Sequence, residues 1–214
     1  AGAVNEVYDL LVEFENYIVG EVIIPITHTL AGLPGTQLSE LKRVYSKAEA
    51  LMQTTRFLEE HSDWQQISVA NTAIAAKKIL DDQDRTQAAV CSAYAAKVYG
   101  LEVLEDNIND ESGNCTRFII VTNQKVFLKG AKKISICFEV PHESGSLYHL
   151  LSHFIYNDLN MSKIESRPIE GRSWEYRFFV DFEGNLDDAE VKNAISLIEE
   201  KSRYFKLLGN YKSK

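Results

Sequence analysis

The chain holds 214 residues, 45% hydrophobic and 25% charged, with 31 acidic against 23 basic side chains and a net charge of −8. This is an ordinary globular composition, enough for one large domain or two small ones. The negative balance, with no Lys/Arg run, argues against a nucleic-acid partner. No apolar run approaches the ~20 residues that span a bilayer, and no signal peptide is read. Cys91, Cys115 and Cys137 are too scattered for a disulfide framework or a zinc site. A cytoplasmic location without membrane contact is therefore expected.

A helical stripe of Val4, Val7, Tyr8 and Leu11 opens the chain with no cap before it. Ala1-Gly2-Ala3-Val4 is not an initiator sequence, so the first residues of the native protein are expected to be absent. Residues 20–30 form a β-branched apolar run, read as a strand near a sheet edge because of Pro25. A loop follows over 32–37, then a short strand at Val44-Tyr45-Ser46 and a helix over 47–60. Residues 67–70 read as a strand, and Asn71-Thr72 caps a helix running through Ala76 and Leu80. Residues 88–91 read as a strand or the start of a helix, 92–99 as an Ala-rich helix ending at Gly100, and 116–122 as an apolar strand. This alternation predicts an α/β layer with a largely parallel sheet.

The later part of the chain has a different rhythm. Residues 132–140 alternate as a strand, and 145–157 read as a helix with Ser144 as candidate N-cap. Residues 161–167 and 174–182 read as strands, the latter with Trp174, Tyr176, Phe178, Val180 and Phe182 on one side. Residues 187–201 read as a helix with Asp187 and Asp188 in its first turn, and 203–208 as a last strand. The order β-α-β-β-α-β predicts two helices on one face of an antiparallel sheet. His149 and His153 are spaced i, i+4 and could share a metal, but no third ligand lies nearby, so solvated helix histidines and no metal are expected.

Between the first helix and the third strand of that pattern lies Glu165-Ser166-Arg167-Pro168. A Glu, a Ser and an Arg at a strand end are costly to bury unless each is partnered; spacing alone would equally allow a solvated turn. With the pattern around it, this segment resembles the ACT domains of the phenylalanine-sensing type. Ser144-Gly145-Ser146-Leu147 resembles their Gly-Ala-Leu segment, and Asp158-Leu159-Asn160-Met161 is similar to the Ile-Asn-Leu leading into Glu-Ser-Arg-Pro. The resemblance implies that Ser144, Gly145, Ser146, Leu147, Asn160, Glu165, Ser166, Arg167 and Pro168 frame an L-phenylalanine site between two subunits.

The earlier part resembles prephenate dehydratases. Asn114-Cys115-Thr116-Arg117-Phe118 looks like their Asn-x-Thr-Arg-Phe signature, preceded by Tyr99-Gly100-Leu101-x-x-Leu104. Val44-Tyr45-Ser46 with Gln53 is similar to their Val-Tyr-Ser-His-Pro stretch and its glutamine, and Asn71-Thr72-Ala73 resembles their Ser-Thr-Ala. Ala3-Val4-x-x-x-Tyr8-Asp9-Leu10-Leu11 and Gly20-Glu21-Val22 also fit. The sequence departs from the family at Lys47-Ala48, where His-Pro is usual. It also lacks the earlier strands and a Glu-Asn motif that precede the segment matching Ala1-Gly2.

The resemblance is closest to the dehydratase–ACT portion of bifunctional chorismate mutase–prephenate dehydratases, truncated at the N-terminus. It implies part of a two-lobed, periplasmic-binding-protein-like α/β dehydratase domain over 1–129, its first lobe incomplete, then an α+β ferredoxin-like (βαββαβ) ACT domain over 130–214. The implied reaction is decarboxylating dehydration of prephenate to phenylpyruvate, under phenylalanine feedback, in a homodimer or homotetramer assembled through ACT domains. No cofactor is needed. Thr116 is the expected donor to the leaving oxygen, and Arg117 the expected carboxylate ligand, with an interlobe or surface ion pair as its equal alternative. Ser46, Gln53, Asn71, Thr72 and Phe118 are the expected substrate-binding residues, although Asn71-Thr72 also fits a plain N-cap. Two rivals remain: an inactive fragment that only dimerises and binds phenylalanine, and a solute-binding relative without chemistry.

Overall fold

The computed structural model describes residues 4–212; the part of the opening match on residues 1–3 lies outside the described residues. The elements are α1 (Asn5–Glu13), β1 (Tyr17–Pro25), β2 (Thr29–Gly32), β3 (Arg43–Ser46), α2 (Ala48–Met52), α3 (Thr55–Glu59), β4 (Gln65–Ser68), α4 (Thr72–Asp82), β5 (Gln87–Cys91), α5 (Ala93–Val98), β6 (Glu102–Glu105) and β7 (Cys115–Thr122). They continue with β8 (Lys133–Glu139), α6 (Ser146–Tyr156), β9 (Met161–Pro168), β10 (Tyr176–Glu183), α7 (Ala189–Lys201) and β11 (Tyr204–Tyr211). The chain divides into two compact units: Ile24–Thr116, and the segment ending at Ile23 together with Arg117 onward. The expected boundary at 129/130 falls inside the second unit.

The first unit is a five-stranded sheet ordered β4-β3-β5-β2-β6. Helical crossovers join β3 to β4 and β4 to β5, and β3 pairs in parallel with both β4 and β5. β2 runs antiparallel to both β5 and β6, so it is a reversed strand inserted among four that share a direction. The apolar run read as one strand over 20–30 is two, because Pro25 ends β1 and the chain re-enters only at Thr29. Both faces of the sheet are packed. Ala31, Tyr45 and Ala89 meet α4 and α5 on one face, while Leu30, Val44 and Val90 meet α2 and α3 on the other.

The helix expected over 47–60 breaks at Gln53–Thr54. Thr54 is fully buried, and its hydroxyl donates to the Ala50 and Leu51 carbonyls, a local bond that competes with helix continuation. Residues 88–91 resolve as strand, within β5. Asn71 accepts from the Ile74 amide at 2.8 Å and caps α4 as expected.

In the second unit, β8-α6-β9-β10-α7-β11 forms a four-stranded antiparallel sheet ordered β11-β8-β10-β9, the ferredoxin-like order the sequence predicts. Ile134, Ile136, Phe138, Val180 and Phe182 pack one face against Leu150 and Phe154 of α6 and Val191 and Ile198 of α7. Each such burial is worth roughly 1.5–3 kcal/mol. The opposite face is covered too, by Leu11 of α1 and Ile18 of β1 against Cys137, Phe179, Leu208 and Tyr211. That cover explains why Phe179 and Asp181, on the side the alternation left outward, are buried. β1 lies so close to β11 that a Cβ on Gly209 would overlap the Ile18 carbonyl. Trp174 falls outside β10, exposed and with φ 67°. Ser144 is not the α6 cap. Gly145 holds that position at φ 80°, a left-handed conformation that suits glycine, with no side-chain cap bond.

Candidate functional site

Strand register gathers polar residues at one edge of the first unit's sheet. Thr29 pairs with Cys91, Ser46 with Ser68, and Leu30 with Glu105. Hence His28, Ser46-Lys47, Asn71, Ser92 and Asp106 all leave the sheet together, at the carboxyl ends of its parallel strands, where ligands bind in α/β folds. Within this edge Gln53, at the α2 break, accepts from Asn114 Nδ2 and bonds His28 Nε2, both at 2.9 Å. If Gln53 Oε1 serves both, His28 carries its proton on Nε2 and the Gln53 amide NH2 turns to the other side. Asn109 accepts from the His28 amide at 2.6 Å and donates to the Ile26 carbonyl at 2.9 Å, which clamps the break between β1 and β2.

Gln53 and Asn114 line a groove of about 560 Å³ with Met52, Arg56, Asn109 and Asp110. Asp110 accepts from the Thr55 and Arg56 amides and so fixes the start of α3. Arg56 is an exposed cation 3.7 Å from Glu111. Two residues beyond Asn114, Thr116 stands exposed on β7.

Of the expected substrate residues, Gln53 lines this groove, and Asn71 is exposed at its cap. Ser46 is different: it is fully buried and its hydroxyl donates to the Val90 carbonyl at 2.6 Å, a strut between β3 and β5. That geometry does not offer it to a ligand. Thr72 is half-buried in the first turn of α4. Lys47, where the resemblance led to the expectation of a His, pairs with Glu49 at 3.1 Å in an exposed contact. His28, Asn109 and Arg56 were not read as site residues, since only the fold brings them beside Gln53 and Asn114.

Arg117 and Phe118 belong to the second unit. The Arg117 guanidinium bonds Glu21, Asp181 Oδ2 at 2.6 Å and Tyr211 Oη at 2.6 Å. Burial alone would lower its pKa, but Asp181, Tyr211 and Glu21 outweigh it and hold the group above its ordinary value. Its charge is already met by two carboxylates, Glu21 and Asp181, in a largely buried ion-pair network of the second unit, which is neither the interlobe nor the surface pair expected. Phe118 projects into solvent at 52% exposure, with Ile120 beside it on the same side of β7.

The expected effector residues separate by face. Across β9 and β10, Ser166 opposes Phe178 and therefore lies on the face of α6 and α7, and Pro168 opposes Tyr176 on that same side. Glu165 opposes Phe179 and Arg167 opposes Arg177, on the α1 side. There Arg167 is held by Asp9 of α1 at 2.6 Å. Gly145, exposed Ser144, Ser146 and half-buried Leu147 cluster at the start of α6. Asn160 lies in the turn past the other end of α6, donating to Glu183 at 3.4 Å. Eleven helical residues, about 16 Å, separate those two ends. Among the described residues no group of three His, Cys, Asp or Glu could hold a metal, and no helix is long and apolar enough to cross a membrane.

A mixed α/β unit with ligand-type geometry at its strand ends, joined to a ferredoxin-like unit, defines the class. The prephenate dehydratase family profile matches residues 1–126, and the chain belongs to that family. It is 38% identical over 212 residues to the bifunctional chorismate mutase/prephenate dehydratase of Aquifex aeolicus, covering 98% of this chain and 58% of that protein. The chain thus spans little more than half the length of this curated relative. Among solved structures it superposes on the prephenate dehydratase of Arthrobacter aurescens in complex with L-Phe, with a TM-score of 0.89, 31% identity, and coverage of 99% of this chain and 71% of that one. It also superposes on GqqA, described as a novel type of quorum quenching acylases, with a TM-score of 0.89 and 29% identity over 100% of this chain and 78% of that one.

Proposed function

We propose that the protein to which this chain belongs is a cytoplasmic prephenate dehydratase of phenylalanine biosynthesis, with residues 130–214 as an ACT domain through which L-phenylalanine regulates it. The observation that carries the reading is Thr116, exposed two residues past Asn114 of the Gln53 groove, within the span that the family profile matches. In the reaction the bonding pair of the ring carboxylate moves into the ring as CO2 departs. The C–O bond breaks, and the hydroxide takes up a proton and leaves as water. Because the product ring is aromatic, the protein needs only to stabilise the leaving oxygen and hold two carboxylates.

The Thr116 hydroxyl serves as the donor to that oxygen. The Gln53 amide and the Arg56 guanidinium are suited to substrate carboxylates, and His28, Asn109 and Asn114 hold Gln53 in place. Thr116→Ala in the full-length protein is expected to lower kcat for phenylpyruvate formation roughly 10²–10³-fold, the usual cost of one positioned donor. An unaffected rate would remove Thr116 from the mechanism. Hydrolysis of an acyl amide instead of prephenate turnover would move the reading toward the activity named for GqqA.

The chain's coverage of only 58% of its Aquifex relative favours a second reading for this piece alone: a dimerising, phenylalanine-binding module without turnover. Calorimetry with phenylalanine and a prephenate assay, both on these 214 residues, separate the two. Since Gly145 and Asn160 sit at opposite ends of α6, the effector reading places each phenylalanine between two copies of the chain, in a homodimer or homotetramer.

A further inference from the structure

Beneath β1 and β7 lies a largely buried polar circuit. Glu21, Ser135, Asp181 and Tyr211 are each at least nine-tenths buried. Arg117 donates to Asp181 Oδ2 and to Tyr211 Oη, and Ser135 Oγ donates to Asp181 Oδ1 at 2.5 Å. Ser135 and Tyr211 are 2.8 Å apart. Because the Ser135 proton is committed to the carboxylate, Tyr211 must donate to Ser135, and the ring Arg117–Asp181–Ser135–Tyr211 closes with each hydroxyl proton placed. Glu21 completes the charge balance with Arg117 and with Lys133 Nζ, the latter at 2.9 Å. Such a network is rigid when complete and costly when any member is lost. Apolar side chains of similar volume in place of the whole network would hold these strands together as well or better, so the circuit calls for an explanation beyond stability.

Its placement supplies one. Arg117 is covalently next to Thr116 on β7. Asp181 and Tyr211 lie on β10 and β11, and β10 pairs along its length with β9, which carries Glu165 to Pro168. Resting on the function proposed above, we propose that Arg117 is a positioning residue: its guanidinium, gripped by Asp181 and Tyr211, links the strand presenting Thr116 to the effector-binding sheet. A shift of β10 or β11 when phenylalanine binds then reaches Thr116 through one peptide unit. Coupling of this kind requires the circuit to take a second arrangement when phenylalanine is bound.

Tyr211→Phe in the full-length protein tests this. It keeps the ring that fills the core while leaving Arg117 one acceptor short and Ser135 without its donor. Phenylalanine affinity by calorimetry is expected to stay within about twofold, while the ratio of kcat without and with saturating phenylalanine falls at least about threefold toward unity. Val191→Ala, a core truncation in α7 away from the circuit, serves as the control for lost stability and is expected to keep the wild-type ratio. Arg117→Lys, which retains charge but not the fork, should lower kcat roughly tenfold with little change in KM. A wild-type kcat ratio in Tyr211→Phe overturns the coupling alone. A wild-type protein that neither turns over prephenate nor responds to phenylalanine overturns the proposed function, and this inference with it.

Discussion

Gly145 shows how much one backbone angle can decide. At φ 80° it turns the chain into α6, and a Cβ there would meet the His149 ring at 3.3 Å. A β-branched residue in that conformation costs at least about 1–2 kcal/mol. Gly145→Val is therefore expected to lower Tm by a few degrees and to weaken phenylalanine binding at least roughly tenfold; calorimetry showing wild-type affinity would place the effector elsewhere. At this scale the motifs in the sequence pointed to Thr116, Gln53 and Gly145, because they sit in contiguous signatures. They misjudged Ser46, whose burial depends on β5 passing beside β3. The contacts of His28 could not be read there either, since its partners Gln53 and Asn109 lie 25 and 81 residues away. No local spacing carries such a contact.

Among the elements, α6 holds a titratable group in a poor place. His153 is 9% exposed with no partner for its Nε2, and burial first, then the nearby charge of Lys201, lowers its pKa. The unfolded chain therefore takes up the proton first as pH falls. Stability attached to the neutral ring is complete above the unfolded value of ~6.5 and is lost as pH falls from there through the folded pKa. His153→Phe should flatten the decline of Tm between about pH 7 and 5; an undiminished pH slope would show that other groups govern it. Periodicity marked α6 and α7 well, because each buries one stripe. It failed for β10, where α1 and β1 cover the second face, and for the helix over 47–60, where one buried threonine redirects the backbone.

For the whole molecule, the argument concerns copies of the chain. If one copy supplies the start of α6 and the other supplies Asn160, then Gly145→Val and Asn160→Ala should each abolish sites in pure form. Mixing them in unfolded form and refolding should restore about a quarter of a site per chain, since half the dimers are mixed and each holds one intact site of two. Calorimetry that finds no regained binding would mean each site lies within a single copy. The β-α-β-β-α-β order, the strand–helix alternation and the family signatures were all set by the sequence itself, because periodicity and short motifs are local. The polar groove around Gln53, the reversed β2, the two faces dividing Glu165-Ser166-Arg167-Pro168 and the circuit around Arg117 were decided by tertiary structure alone. Each depends on strands distant in the chain lying side by side, and a buried charge reveals its role only through the partners that neutralise it.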